Sequence, residues 1–111
     1  MTPNIIIQAP ARLDGLNAGD FGTAVKNLID AGAHRVILDL GTLDYLSSAG
    51  VRALLIIHQA LTAQGGKLAL LDLRPSVREV LRICGAEKIA PQAESIEAAR
   101  KWVEQESGIA R

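Results

Sequence analysis

Residues 35–55 read RVILDLGTLDYLSSAGVRALL and carry the clearest local signals of secondary structure. From Arg35 to Leu40 the sequence is continuously apolar apart from Asp39, which is typical of a strand covered on both faces. A polar loop then leads into Ser48 to Gln64, where apolar residues recur at helical spacing. A buried strand followed by a long amphipathic helix predicts the start of a parallel crossover unit.

The flanking segments complete an α/β pattern. Lys67 to Leu73 is a second apolar strand that closes the crossover. The β-branched run Ile5 to Ile7 predicts a further strand, and the nearby Pro10 suits either an edge strand or a strand end. The other periodic segments predict helices over Asn17–Ala31, over Ser76–Cys84 and from Ser95 onward. We therefore expect one α/β domain over residues 1–111, with a small, largely parallel sheet and about four helices.

Composition excludes several classes of function. The chain carries 12 Lys and Arg against 12 Asp and Glu, and only Trp102, Tyr45 and Phe21 could stack on bases, so we expect no nucleic-acid partner. The best apolar run, Ala53 to Ile57, is far shorter than the roughly 20 residues that span a bilayer, so we expect no membrane insertion. With 49% hydrophobic residues, the chain has enough apolar side chains for a folded core.

The cysteine and histidine content bears on compartment and metal binding. Cys84 is the single cysteine, and the first residues lack the features of a secretory signal, which together favour a reducing cytoplasm. Cys84, His34 and His58 cannot complete a zinc site without carboxylates. We predict no metal and no cofactor.

Two serines, Ser47 and Ser48, stand where the loop meets the long helix. The common role of a serine there is an N-cap, in which the hydroxyl accepts a backbone N–H two or three residues on. The same place suits a phosphoserine, because unpaired N–H groups and the helix dipole favour a dianion. Arg52 follows Ser48 at i+4 and can reach such a phosphate, although a solvated charge is the simpler interpretation.

These residues resemble the central signature of the STAS family, the bacterial anti-sigma factor antagonists and their relatives. Residues 35–55 carry most of the likeness, which extends upstream to Ala11–Asp14, similar to the family's Gly-x-Leu-Asp segment, and downstream to residues 65–70 and 75–81. The resemblance covers nearly the whole chain. It implies a mixed, largely parallel sheet of about four strands flanked by about four helices, no intrinsic catalysis, and control by reversible phosphorylation.

The resemblance also assigns roles to residues. Ser48 matches the family's phosphoacceptor, while Ser47 stands where an acidic residue is usual. Asp14 and Asp44 remain as nearby acidic candidates, for which a turn or cap is the simpler interpretation. Leu46 and Val51 flank the acceptor as apolar residues suited to a desolvated contact. The expected partner-binding surface comprises Asp14, Asp44, Leu46, Ser47, Val51 and Arg52.

The function that this resemblance implies is that of an anti-sigma factor antagonist working by partner switching. Such proteins bind, when unphosphorylated, an ATPase-fold protein that is both anti-sigma factor and serine kinase, and phosphorylation of Ser48 would release it. A serine phosphatase would restore the binding form. We expect a cytoplasmic phosphoprotein of signal transduction and transcription regulation, present as a monomer or weak dimer.

Two other functions stay open. A constitutive scaffold or accessory subunit, in a stress-signalling or lipid-transport complex, is favoured by Ser47 in place of the acid. An enzyme with Ser48 as nucleophile would need a neighbouring base, and only His34 and His58 are available. No Gly-x-Ser-x-Gly motif occurs, so we expect no enzyme.

Four further residue types receive structural interpretations. We predict that His58 is packed beside the apolar stripe of its helix and that Cys84 is a small buried hydrophobe. Trp102 is expected to anchor its helix against the sheet. Leu54 to Ile57 are interpreted as core, with an outward-facing Ile56 or Ile57 on a partner surface as the alternative.

Overall fold

Ten helices and strands follow one another in the computed structural model, which describes residues 4–105. The strands are β1 Asn4–Gln8, β2 Arg12–Leu13, β3 Arg35–Asp39, β4 Tyr45–Leu46, β5 Lys67–Leu71 and β6 Gln92–Ala93. The helices are α1 Ala18–Asp30, α2 Ser48–Ala63, α3 Pro75–Ile83 and α4 Ile96–Val103. Each predicted helix is present, and its observed ends lie within a residue or so of the predicted ones.

The main sheet has four strands in the order β1-β3-β5-β6. β3 and β5 are adjacent and parallel, with Ile37 opposite Ala69, which is the arrangement that the crossover pattern predicts. β1 pairs with β3 at the edge, as predicted from the run near Pro10. Every strand pairing within residues 4–105 is parallel, so the antiparallel component of a mixed sheet is not among the described elements.

Both faces of the sheet are covered. Val36 and Leu38 of β3 belong to the larger core, together with residues of α1 and α2. Ile37, between them in sequence, points the other way into a smaller core with Ala99 and Val103 of α4. This alternation is the reason that β3 reads as continuously apolar, and it confirms that the strand is buried on both faces.

A close backbone contact sets where β5 begins relative to β3. Gly66, just before β5, has no room for a side chain, because a Cβ there would lie 2.6 Å from the carbonyl oxygen of His34. This contact brings the start of β5 against the start of β3, where the Lys67 N–H donates to the same oxygen at 2.8 Å. The strands therefore begin in register, and their carboxyl ends meet at the opposite edge, where α2 begins.

The positions of three other residues can be compared with the predictions about packing. The Trp102 Nε1–H donates to the Leu68 carbonyl oxygen at 2.9 Å, so Trp102 anchors α4 on the sheet as expected. His58 is half-buried on α2, with Nε2 3.4 Å from Thr62 Oγ1, as expected of a packed histidine. Cys84 was expected to be buried, and this is wrong: the residue is exposed.

The reason is the length of α3. Its buried stripe runs through Val77 and Leu81, but the helix ends at Ile83 and Gly85 takes a positive φ of 71°. The chain then turns and places Ala86, not Cys84, in the core.

Separately, no helix within residues 4–105 is long and apolar enough to cross a membrane.

Candidate functional site

The start of α2 is held by a short parallel ladder that the sequence did not reveal. β2 pairs with β4, so that Arg12 is opposite Tyr45 and Leu13 is opposite Leu46. The contact continues beyond the ladder, because the Ser47 N–H donates to the Leu13 carbonyl oxygen at 3.0 Å. Two sequence segments that carried the family resemblance are therefore joined through their backbones.

The two serines have different surroundings. Ser47 is the N-cap of α2: its Oγ accepts a hydrogen bond from the Gly50 N–H at 3.3 Å and lies 3.4 Å from the Leu13 carbonyl oxygen, to which its hydroxyl donates. Ser48 is the first helical residue and is exposed, and its hydroxyl makes no hydrogen bond within residues 4–105. From the sequence, either serine could be the N-cap. In the structure Ser47 is the N-cap, and Ser48 is the exposed serine that follows it.

Gly50 allows the helix to lie this close to the ladder. A Cβ at this position would lie 2.5 Å from Leu46 Cδ1 and 2.6 Å from the Leu13 carbonyl oxygen. Since the second of these is a backbone atom, a larger residue would force α2 away from β2. Gly50 therefore fixes where the first turn of α2, and with it Ser48, is presented.

Two residues expected on the partner-binding surface are inside the protein. Leu46 and Val51 are only 5% and 4% exposed and belong to the larger core. β4 turns Leu46 inward, and the first turn of α2 turns Val51 in the same direction, so the expectation that their side chains face a partner is wrong for this conformation. Their burial instead holds the exposed Ser48 in place.

Asp14 and Asp44 differ in exposure and in hydrogen bonding. Asp14 accepts the Leu16 N–H at 3.0 Å and pairs with Arg12 at 3.2 Å, as a turn aspartate does. The Leu16 hydrogen bond, with the Arg12 contact adding to it, lowers the pKa of the Asp14 carboxyl. Asp44 is exposed, and its backbone N–H donates to the Ala11 carbonyl oxygen at 2.9 Å.

An arginine–tyrosine stack on the β2–β4 ladder was not predicted from the sequence. The Arg12 guanidinium lies 4.4 Å from the centre of the Tyr45 ring, and both side chains are exposed. The stack follows from the ladder, which makes these residues direct neighbours. No local signal in the sequence indicates the stack, because the two residues are far apart in the chain and meet only through the pairing of β2 with β4.

Arg52 lies on the exposed side of α2 and lines a groove between α1 and α2. The groove has a volume of about 350 Å³ and is bordered by small residues of both helices. Ile56 also lines it and is 43% exposed, whereas Ile57 is fully buried, so Ile56 is the isoleucine that faces outward.

Within residues 4–105, no group of His, Cys, Asp or Glu is placed to hold a metal ion.

Comparison with known proteins identifies the family. The family model described as the STAS domain matches residues 2–99. A protein of Bordetella bronchiseptica named "Putative anti-sigma factor antagonist BtrV" is 44% identical over 87 residues, which cover 78% of this chain and 75% of that protein. The chain therefore belongs to the STAS domain family, as the resemblance of its sequence implied. Within that family, its similarity is to proteins named as anti-sigma factor antagonists.

Solved structures share the fold. One, described as a putative anti-sigma factor antagonist of Thermotoga maritima, superimposes with a TM-score of 0.82 at 20% identity, covering 95% of this chain and 92% of that one. The anti-sigma factor antagonist SpoIIAA in its unphosphorylated form gives 0.77 at 22% identity, covering 96% of both chains. The phosphorylated form of SpoIIAA from Bacillus gives 0.66 at 21%, covering 87% and 88%. At these identities, the likeness is one of fold.

Proposed function

We propose that this protein is an anti-sigma factor antagonist that binds an anti-sigma factor/serine kinase of the ATPase fold while Ser48 is unmodified and is released when Ser48 is phosphorylated. The observation that carries the proposal is the hydroxyl of Ser48, which is exposed at the start of α2 and has no hydrogen-bond partner among residues 4–105. The names of the Bordetella relative and of SpoIIAA, which exists in phosphorylated and unphosphorylated forms, support it.

The position of Ser48 suits a phosphate physically. Ser47 satisfies the Gly50 N–H, but other N–H groups of the first turn have no partner within the helix, and the helix dipole favours negative charge there. A phosphoserine can therefore form without unwinding α2. In a protein interface, the same two charges would be desolvated and would face Asp44 and Asp14 as like charges. A penalty of about 3 kcal/mol lowers affinity roughly a hundredfold.

The arrangement supports an interaction module better than an enzyme. His58 is ten residues from Ser48 along the same helix, which corresponds to about 15 Å, and its ring contacts Thr62. His34 precedes β3 at the edge where the strands begin, opposite the edge that carries Ser48. With neither histidine placed as a base for the hydroxyl, we propose that the protein has no catalytic activity of its own. A fluorophosphonate probe should leave Ser48 unlabelled.

The proposal includes the setting in which the switch works. A serine phosphatase would regenerate the binding form, and the kinase would use ATP in the cytoplasm, the compartment that the single cysteine favours. The protein then acts in signal transduction and transcription regulation, without a nucleic-acid or membrane contact of its own.

Incubation with the cognate serine kinase and ATP, followed by site mapping with mass spectrometry, tests the proposal. We expect one phosphate on Ser48, none on Ser48→Ala, and full modification of Ser76→Ala, which removes an exposed serine of α3. Ser48→Ala should hold the kinase constitutively, and Ser48→Asp should weaken the complex. Stoichiometric modification at another residue would contradict the assignment.

The alternative is a constitutive scaffold or accessory subunit, favoured by the observation that Ser47 supplies a cap but no carboxylate next to Ser48. Size-exclusion chromatography with light scattering separates the two functions. The antagonist should elute as a monomer or weak dimer, whereas a scaffold should form a large homo-assembly whether or not Ser48 is phosphorylated.

A further inference from the structure

The groove between α1 and α2 begins next to the acceptor, since Ala49 lines it and directly follows Ser48. Its depth comes from glycines of α1. At Gly22 the two helices touch, because a Cβ there would lie 3.5 Å from the Ala53 Cβ. At Gly19, one turn earlier, a Cβ would meet nothing within 4 Å. The helices therefore pack closely near Gly22 and leave open apolar space near Ser48.

Two cationic side chains line the groove, and they differ in their ion pairing. Lys26 is paired with Asp30 on its own helix, at 2.9 Å. Arg52 is exposed and makes no hydrogen bond or ion pair with any residue of the described range 4–105. A guanidinium without a partner, at the edge of apolar space, is complementary to a carboxylate presented next to an apolar side chain.

Exposed apolar side chains flank the groove and indicate what occupies it. Leu16 follows Gly15, which lines the groove, and is 94% exposed. Ile56 lines the groove one helical turn beyond Arg52 and is 43% exposed. Apolar surface on both sides of a groove suits a protein partner, which can cover all of it at once, better than a small anion.

We propose that Arg52 changes partners with the state of Ser48. When Ser48 is unmodified, the Arg52 guanidinium pairs with a carboxylate of the kinase while a neighbouring apolar side chain of that protein fills the groove. When Ser48 carries a phosphate, the guanidinium pairs with the phosphate one turn before it on α2. This inference rests on the proposed function, and it names the surface through which that function is exerted.

The geometry of α2 supports the second state. Ser48 and Arg52 are both exposed and are separated by four residues, so they are neighbours on one side of the helix. An anion on the amino-terminal side of a cation is the more favourable order for such a pair. Phosphorylation thus acts twice, by adding charge at the interface and by withdrawing Arg52 from the carboxylate of the kinase.

The intramolecular state can be tested without any kinase. Phosphoserine is incorporated genetically at position 48 of the full chain, and the arginine side-chain N–H signals are compared with those of the unmodified chain by NMR. We expect the Arg52 signal to shift and to become protected from exchange with water. Arg100, on α4 at the opposite face of the sheet, is the matched control and should not change. An unchanged Arg52 signal would overturn the proposal.

The intermolecular state is tested by calorimetry with the purified serine kinase that modifies Ser48. Arg52→Gln should weaken binding of the unmodified chain about fivefold and should reduce the loss of affinity caused by phosphoserine by a similar factor, as expected of a rim charge pair. Arg100→Gln should do neither. Equal affinities for Arg52→Gln and the parent chain, in both states of Ser48, would overturn the proposal.

The groove itself is tested with two further variants. Gly19→Leu fills the open space and should weaken binding of the kinase without lowering stability. Ile56→Gln should also weaken binding, whereas Leu28→Gln, with the same 43% exposure near the far end of α1, should not. If no kinase modifies Ser48, the proposed function fails, but the NMR comparison still decides whether Arg52 pairs with a phosphate at Ser48.

Discussion

Ser47 and Gly50 are joined across the first turn of α2, where the Ser47 Oγ accepts the Gly50 N–H at 3.3 Å. The same hydroxyl donates to the Leu13 carbonyl oxygen, 3.4 Å away. An ionised carboxylate at this position could keep the cap but could not donate. The Ser47 hydroxyl therefore ties the helix to β2 in a way that an aspartate at this position cannot.

Ser47→Ala should lower the free energy of unfolding by about 1 kcal/mol, because it removes an N-cap. Urea unfolding measures the loss. Ser95→Ala is the matched control, since Ser95 caps α4 through the Ala98 N–H at 3.1 Å and should cost a similar amount. Only the variant at position 47 should also alter the rate at which the kinase modifies Ser48. Equal kinase rates for both variants would show that the cap does not position the acceptor.

Gly50→Ala should be strongly destabilising, by about 3 kcal/mol, since its Cβ would overlap backbone and side-chain atoms of Leu13 and Leu46. Gly19→Ala in α1 is the opposite case, because nothing lies within 4 Å of its Cβ. It should raise stability by about 0.5 to 1 kcal/mol through helix propensity alone. Thermal and urea unfolding should show Gly19→Ala to be more stable than the parent chain and Gly50→Ala to be less stable. A Gly50→Ala variant as stable as the parent chain would contradict the close contact of α2 with β2.

Cys84 should react with a disulfide reagent such as DTNB in the folded protein, with one equivalent per chain, because its side chain is exposed at the end of α3. The rate should change little when the protein is unfolded in urea. A thiol that reacts only after unfolding would place Cys84 in the core, as predicted from the sequence for a small hydrophobe.

Asp14 should make stability depend on pH in the acid range. Its pKa is lowered in the folded protein by the Leu16 N–H and by Arg12, so the carboxyl binds its proton more weakly than in the unfolded chain. Its contribution is therefore fully present above the unfolded pKa, near 4, and is lost as the pH falls through the lower folded value. Asp14→Asn should flatten this part of the curve of unfolding free energy against pH, and an unchanged curve would contradict the prediction.

The larger elements could be predicted because their signals are local. The apolar run of β3 and the helical periodicity of α2 are visible in single windows of sequence, and both boundaries of α2 are marked, by serines before it and by glycines after it.

The rest depends on contacts between distant residues. β2 and β4 contain two residues each, too few to show alternation, and they form only because the start of α1 and the start of α2 are brought together. For the same reason the inward orientation of Leu46 and the stacking of Arg12 on Tyr45 could not be predicted. Cys84 continues the spacing of the buried stripe of α3, but the helix ends before the stripe reaches it.

The first turn of α2 is fastened to the carbonyl oxygen of Leu13, which every amino acid would supply equally. The side chains of Arg12 and Tyr45 lie outside this attachment. Substitutions at these two positions can therefore accumulate without moving Ser48, provided that Gly50 and the Ser47 cap are retained. The exposed surface of β2 and β4 can thus diverge between copies of such a domain while the backbone that presents the serine stays the same.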